Sequence, residues 1–459
     1  MNEAFAGRRT ASTTSIELIA GKAYPAWRDK QSKAVQAWLG RSGFEPRPGA
    51  VAVLPAQGKA QPRVLVCAGE QIDLWSAAGL PGQLAAGTYE FAAKLTADEA
   101  TRLAIGWGLG SYRYRAYLSG ADRRWPKLVM PQSADGDEVR RQVAAATLVR
   151  DLINTPAADL GPPELAAAAA ALARKFGAKL TVVSGKNLER NFPAVHAVGQ
   201  AAEKKPRLID FRWGRTNDPK VTLVGKGVCF DTGGLDIKPA QGMRLMKKDM
   251  GGAAAVLGLA HLIMDSGLPV RLRVVIPAVE NNIAGNAYRP GDIIRTRHGT
   301  TVEIGNTDAE GRVILADALA LADEESPDFL LDCATLTGAA RVALGPDLPA
   351  LFCANDETAM GLLGAGDRTL DPLWRLPLWQ PYRRYIDSPI ADINNAGTSG
   401  FAGAITAALF LSTFVANAKV WAHIDLFGWN EESRPGRPKG GEAMAIRAVL
   451  EFLRHRFGA

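Results

Sequence analysis

The chain has 459 residues, 47% apolar and 22% charged, with a formal net charge of +7 and 4 cysteines. That length exceeds one ordinary core and predicts two domains, and the composition is that of a globular protein rather than a disordered or fibrous one. Scattered cysteines give no disulfide framework, no apolar run approaches the roughly 20 residues of a membrane span, and Arg8-Arg9 is not followed by the apolar stretch of an export signal; a reducing cytoplasm is expected.

In chain order, residues 1–137 read as a small α/β domain. Strands at Ala50 to Leu54 and Arg63 to Cys67 alternate with helical stretches around Trp27 to Leu39 and Ala97 to Tyr117. Pro126 to Asp137 is a polar, turn-rich connector. Residues 138–156 form a linking helix whose apolar face carries Val143, Ala144, Leu148 and Leu152, ending around Asn154-Thr155-Pro156. The larger remainder, 157–459, alternates helices (Ala166 to Ala173) and strands (Leu180 to Val183, Val221 to Val224, Arg271 to Val279). That order predicts a mostly parallel sheet flanked by helices. Basic pairs at Arg113–Arg115 and Arg123-Arg124 read as solvated surface, and a net +7 over this length is a weak basis for DNA binding.

Chemistry concentrates in two segments. After the strand at Val221 to Val224, charged residues Lys226, Asp231, Lys238 and Asp249 stand on glycine-rich loops, where open α/β sheets place their sites. Beyond Tyr288-Arg289-Pro290-Gly291-Asp292, a turn signal, a hairpin is expected from Ile293 to Ile304. It leads into Asn306-Thr307-Asp308-Ala309-Glu310-Gly311-Arg312 and an apolar helix. Asp308 and Glu310, two apart, cannot share a helix face but can converge on one ion from a turning segment. The heptapeptide alone leaves an acidic helix cap and a metal site equally open. Four carboxylates (Asp231, Asp249, Asp308, Glu310) brought together would repel unless a cation compensated them. No His-Glu-x-x-His occurs and none of the five histidines lies in these loops, which argues against a mononuclear zinc protease site. Walker A spacing is absent as well. Cys229 and Cys333 read as small core residues, and His423 with Asp425 as structural.

These ordered motifs, Val224 to Ala254, Glu280 to Asp292, 306–312 and Ala334-Thr335-Leu336-Thr337-Gly338-Ala339, resemble the leucyl (cytosol) aminopeptidase family of dinuclear-metal exopeptidases. The resemblance covers roughly residues 145–455; no family motif is recognised in the N-terminal domain. It implies release of N-terminal amino acids from peptides by attack of a metal-bridging water on the scissile carbonyl, with two divalent ions (Zn²⁺ or Mn²⁺) about 3.5–4 Å apart. One ion would be held by Lys226, Asp231, Asp249 and Glu310, the other by Asp231, Asp308 and Glu310. Read alone, Lys226 is an ion-pair partner, because an ammonium has no lone pair. Lys238 would bind the developing oxyanion, and Arg312 would hold a bicarbonate that relays a proton. Met246, Thr335 and Gly338 would line the first side-chain pocket, although a Met there also reads as plain core. The family further implies a homohexamer of two trimers, and some of its members bind DNA. The chain departs from the commoner pattern at Cys229, Asp236 and Lys247, and Asp236 is expected to modulate Lys238.

Overall fold

A computed structural model describes residues 4–56, 62–119 and 124–458; Arg123 of the second basic pair lies outside them. The chain divides into two compact units, residues 1–147 with 431–439, and residues 148–430 with 440–459.

The first unit is built on a six-stranded sheet. Its strands are β1 (Phe5–Ala6), β2 (Thr14–Ala20), β3 (Val51–Leu54), β4 (Arg63–Ala68), β5 (Thr88–Phe91) and β6 (Lys127–Val129), in the order β1-β6-β5-β2-β4-β3. All pairs are parallel except the edge pair β3–β4. The central strand β2 escaped the sequence reading because only Ile16 in it is fully buried, which blurs its alternation. The expected helix from Trp27 to Leu39 is two, Tyr24–Asp29 and Lys33–Arg41, the second capped by the Ser32 side chain. The helix Ala97–Gly110 opens on a Thr96/Glu99 capping box and stops at Ser111, short of Tyr117. Its Gly106 and Gly110 lie so close to the neighbouring backbone that a Cβ would come within 1.9 Å of the Leu74 and Ala78 carbonyl oxygens. The stretch taken as a connector contains β6. Residues 431–439 pack on this unit, with the Arg437 guanidinium 4.5 Å from the Trp75 ring.

The linking helix runs Gly136–Asn154. The second unit then adds β7 (Lys179–Ser184), β8 (Arg207–Trp213), β9 (Lys220–Gly225), β10 (Gly227–Asp231), β11 (Arg271–Asn281), β12 (Ile293–Arg295), β13 (Thr301–Glu303), β14 (Phe329–Ala334), β15 (Ala350–Cys353), β16 (Trp374–Arg375), β17 (Ile393–Asn394), β18 (Trp421–Asp425), β19 (Trp429–Asn430) and β20 (Gly440–Gly441). The main sheet runs β16-β15-β18-β14-β9-β11-β8-β7, with β10 also on β11. Its middle (β18, β14, β9, β11, β10) is parallel and only β15–β18, β11–β8 and β7–β8 are antiparallel, as expected for a mostly parallel sheet. The helix Gly251–Ser266 is apolar on every side and buried over nearly its whole length, as a helix packed on all faces must be. Asp317 holds the helix Pro193–Gly199 by accepting from the Ala194 and Val195 amides at 2.8 and 3.2 Å. Among the described residues, no helix is long and apolar enough to cross a membrane.

Candidate metal centre

β9 and β10 form one line along β11, broken at Lys226. Val224 pairs with Val275 and Gly227 with Ala278, so the break lies opposite Ile276 and Pro277, whose ring nitrogen has no hydrogen to donate. At the break the Lys226 amide turns to the Cys333 carbonyl of β14 (3.0 Å), and its own carbonyl accepts from Ala253 (2.8 Å). Two glycines make the approach feasible. A Cβ on Gly225 would stand 2.7 Å from the Ala253 Cα, and one on Gly227 2.6 Å from the Pro277 oxygen. A β-bulge at Cys229 then re-aims the strand end, which delivers Asp231.

The Lys226 side chain is 3% exposed and fully committed. Its Nζ donates to the Thr335 carbonyl oxygen at 3.0 Å and pairs with Asp249 Oδ2 at 2.8 Å and Glu310 Oε1 at 2.9 Å. Burial would push this ammonium down, but the carboxylates of Asp249, Glu310 and Asp231 outweigh it and hold the pKa well above the ordinary value. Lys238 Nζ pairs with Asp231 Oδ2 at 2.8 Å and with Asp308, and is raised by the same opposition of burial and carboxylates. Asp231, Asp308 and Glu310 each offer an oxygen within 4.8 Å of the others. Burial, then repulsion from Asp231, raises Asp308 to about 6 and Glu310 well above the carboxylate range. Glu310 Oε2 is buried without a hydrogen-bond partner. An all-carboxylate cluster with a spare buried oxygen suits hard or borderline divalent cations, so the residues present fit the group the sequence implies.

In the heptapeptide the capping side chain is an amide, Asn306, not an acidic one, and the two carboxylates stand free of that task. Asn306 caps the turn Thr307–Ala309 by accepting from the Asp308 amide at 2.7 Å, and Glu310 begins the helix Glu310–Asp323. Asp308 and Glu310 therefore leave a tight turn before helical spacing could separate them. Gly311 is the space Lys226 needs: a Cβ there would meet Lys226 Cε at 2.5 Å and Nζ at 2.8 Å.

Two loops are stitched together at Thr307, which is fully buried. Its hydroxyl donates to the Gly233 oxygen (2.6 Å) and accepts from the Asp236 amide (2.8 Å), while the Asp236 carboxylate accepts from the Thr307 amide (2.8 Å). Asp236 therefore bonds Thr307, while the hydrogen-bonded and ion-paired partners of Lys238 are Asp231 and Asp308. Asn281 adds a third tie, donating to Asp231 Oδ1 (2.8 Å) and to the Thr307 oxygen (3.0 Å). Asn395 is a hub the sequence did not single out. It accepts from the Gly305 and Asn306 amides through its side chain, and from Arg312 Nη1 (2.7 Å) through its backbone oxygen. Nothing local to Asn394-Asn395 announces this, because its partners lie about 90 residues away.

Arg312 is lowered to about 10 by burial, with Glu310 and Asp425 opposing, and stays charged at neutral pH; its Nε has no partner. Thr335 Oγ1 donates to Asp249 Oδ1 at 2.7 Å, which ties the expected pocket residue to the carboxylate cluster. Met246 is half-buried at the start of the turn that carries Asp249, and beyond Gly338 a side chain would meet open space. His423 and Asp425 are both hydrogen-bonded within the fold. His423 Nδ1 is hydrogen-bonded to Asp332 Oδ1 (2.5 Å), and Asp425 accepts from the Leu336 and Thr337 amides (2.9 and 3.3 Å) and the Thr337 hydroxyl (2.6 Å). Cys229 and Cys333 are buried.

The chain also matches known families and structures over most of its length. The model of the cytosol aminopeptidase family, catalytic domain, matches residues 147–450, and a second model, for the N-terminal domain of these aminopeptidases, matches 14–131. The chain is 44% identical over 365 residues to a probable cytosol aminopeptidase of Roseiflexus castenholzii, covering 75% of this chain and 74% of that one. It is 39% identical over 368 residues to peptidase B of Pectobacterium carotovorum, covering 78% and 84%. Among solved structures, the cytosol aminopeptidase of Coxiella burnetii superposes with a TM-score of 0.94 at 48% identity over 99% of both chains. The bottromycin maturation enzyme BotP in complex with Mn gives 0.87 at 34% identity, over 97% of this chain and 100% of that one.

Proposed function

The chain belongs to the cytosol aminopeptidase family of hydrolases, and on that premise we propose that it removes N-terminal amino acids from peptides using two divalent ions held by Lys226, Asp231, Asp249, Asp308 and Glu310. The observation that carries this reading is the convergence of Asp231, Asp308 and Glu310 within 4.8 Å around a buried, unpartnered Glu310 oxygen. Bound there, the ions would supply Lewis-acid polarisation of the carbonyl and an activated water.

The chain's own residues supply the rest. Lys226 as a ligand uses its neutral form; as an ammonium it holds the place of a cation between Asp249 and Glu310. Lys238, released from Asp231 and Asp308 when cations neutralise them, donates to the oxygen on which charge develops. Arg312 faces the cluster with a free Nε, suited to a small planar anion such as bicarbonate, which would accept and return a proton. Asp249, fixed by Thr335, receives the substrate's α-amine, and Met246, Thr335 and Gly338 border the first side-chain pocket. A cytoplasmic homohexamer, with residues 1–137 as a separate N-terminal domain, completes the proposal.

The test has two arms. Chelation should abolish activity and Mn²⁺ or Zn²⁺ should restore it. Leu-amide should be cleaved at least about a thousandfold faster than N-acetyl-Leu-amide, because acetylation leaves Asp249 buried without its partner. Activity surviving exhaustive chelation, or equal rates on the two amides, would refute the reading.

A further inference from the structure

The first unit has a cavity of its own, formed where residues 431–439 meet the stretch from Ala78 to Arg113. It measures about 420 Å³, within the roughly 300–1,000 Å³ of small-molecule sites. Three cations line it, Arg113, Arg434 and Lys439. No aspartate or glutamate is among its described lining residues, and Glu431 and Glu432 of the same excursion stand outside it.

The local backbone sets each cation in place. Arg113, expected from the sequence to be solvated surface, is half-buried. Its Nη1 donates to the Gly110 and Tyr112 carbonyl oxygens at 2.7 and 2.6 Å, and its guanidinium lies 5.1 Å from the Trp125 ring centroid. Its Nη2 reaches Gly82, where a Cβ would stand 3.6 Å away. Arg434 opens the turn Arg434-Pro435-Gly436-Arg437, in which each arginine amide donates to the other's carbonyl oxygen at 2.8 and 2.9 Å. Proline at the second position and Gly436 at a φ of 71° suit such a turn, and a Cβ on Gly436 would lie 2.8 Å from the Trp75 ring. The Lys439 amide donates to Ser433 Oγ at 3.1 Å, which folds the end of the excursion back on its start.

Three like charges around one cavity raise its potential and favour an anion inside it. Guanidinium groups present paired N–H donors that match a phosphate, and a lysine adds a point charge. Because Arg113 is already anchored, little of its side-chain freedom remains to be lost on binding.

We propose that this cavity binds a phosphate group, free or carried by a small metabolite, between Arg113 on one side and Arg434 with Lys439 on the other. The bound anion would tie the excursion to residues 78–113. The proposal is independent of the aminopeptidase reading.

The test follows thermal unfolding and calorimetric binding of the full chain during titration with inorganic phosphate, glucose 6-phosphate or adenosine 5′-monophosphate. Ionic strength is held constant with chloride. At least one phosphate should raise Tm saturably and bind at one site per chain. Tighter binding of an ester would support a carried group, and equal affinities would support free phosphate. Arg434→Gln and Lys439→Gln, both exposed, should each weaken binding at least about tenfold, the scale of one lost charge-assisted hydrogen bond. Arg113→Gln should do the same; if it does not fold, the two exposed variants still decide. Arg41→Gln, an exposed arginine outside the cavity, should change nothing. No saturable response to any of the three phosphates, or binding that survives Arg434→Gln and Lys439→Gln, would overturn the site.

Discussion

Gly311→Ala tests whether the site is as tightly built as its geometry says, because two effects of opposite sign compete. Gly311 is in the first turn of a regular helix, where alanine is favoured over glycine by about 1 kcal/mol. Against this, the new Cβ would lie 2.5 Å from Lys226 Cε, 2.8 Å from Nζ and 2.9 Å from Cδ. Ordinary carbon contacts are about 3.5–4.0 Å, so the lysine must retreat by roughly 1 Å. It has nowhere to go, since Nζ is pinned by the Thr335 oxygen, Asp249 and Glu310. Overpacking costs about 1–3 kcal/mol, and losing one hydrogen bond to a buried charge a further ~1.5–3 kcal/mol. Sterics therefore win, with a net loss of roughly 2 kcal/mol or more. Gly364→Ala is the matched control. Its Cβ would meet only the mobile end of Arg368, at 3.4 Å, so the propensity gain should stand alone. Thermal unfolding should show a Tm drop of several degrees for Gly311→Ala and no drop for Gly364→Ala. Kinetics should show at least about a hundredfold loss of kcat/KM for Gly311→Ala, the scale of a 1 Å misplacement at a reacting centre. A Gly311→Ala protein as stable and active as the parent would mean that Lys226 is not held where the structure puts it.

Lys238→Met should leave metal content, measured by elemental analysis, near the parent value while kcat falls, because the lysine's proposed contact strengthens only as charge develops; loss of metal along with activity would reassign it to holding the cluster. Asp236→Ala strips the buried Thr307 amide of its acceptor and should cost about 1–3 kcal/mol in unfolding experiments, with weakened metal retention and an unmoved pH–rate profile. A shifted profile at unchanged stability would restore a direct electrostatic action on Lys238.

The catalytic unit was legible to the extent that its chemistry is local in sequence. The heptapeptide 306–312 and the segment after β9 carry their charged residues close together in sequence, and glycine-rich composition marks both as places where backbone comes close. Parallel strands show up as plain apolar runs, so Val221–Val224 and Arg271–Val279 were found readily. What stayed hidden is everything that depends on pairing across distance. Asn395, the Asp236–Thr307 clamp and the space at Gly311 acquire meaning only once segments about 70–90 residues apart meet. The first unit was harder for a different reason. Most of its strands are short or half-buried, and the helix Ala97–Gly110 carries three glycines that local propensity would penalise, two of which close backbone packing requires.

The excursion at 431–439 has a bearing on how the chain is made. The first unit is assembled from two stretches separated in sequence by residues 148–430, for Trp75 and Ala78 wait on Gly436 and Arg437. During synthesis, the leading 147 residues leave the ribosome with that surface bare, and it stays bare while nearly 290 more residues are added at roughly 5–20 per second. A nascent chain would therefore carry Trp75 without its Arg437 and Gly436 contacts for some tens of seconds, the interval in which a chaperone has most to do.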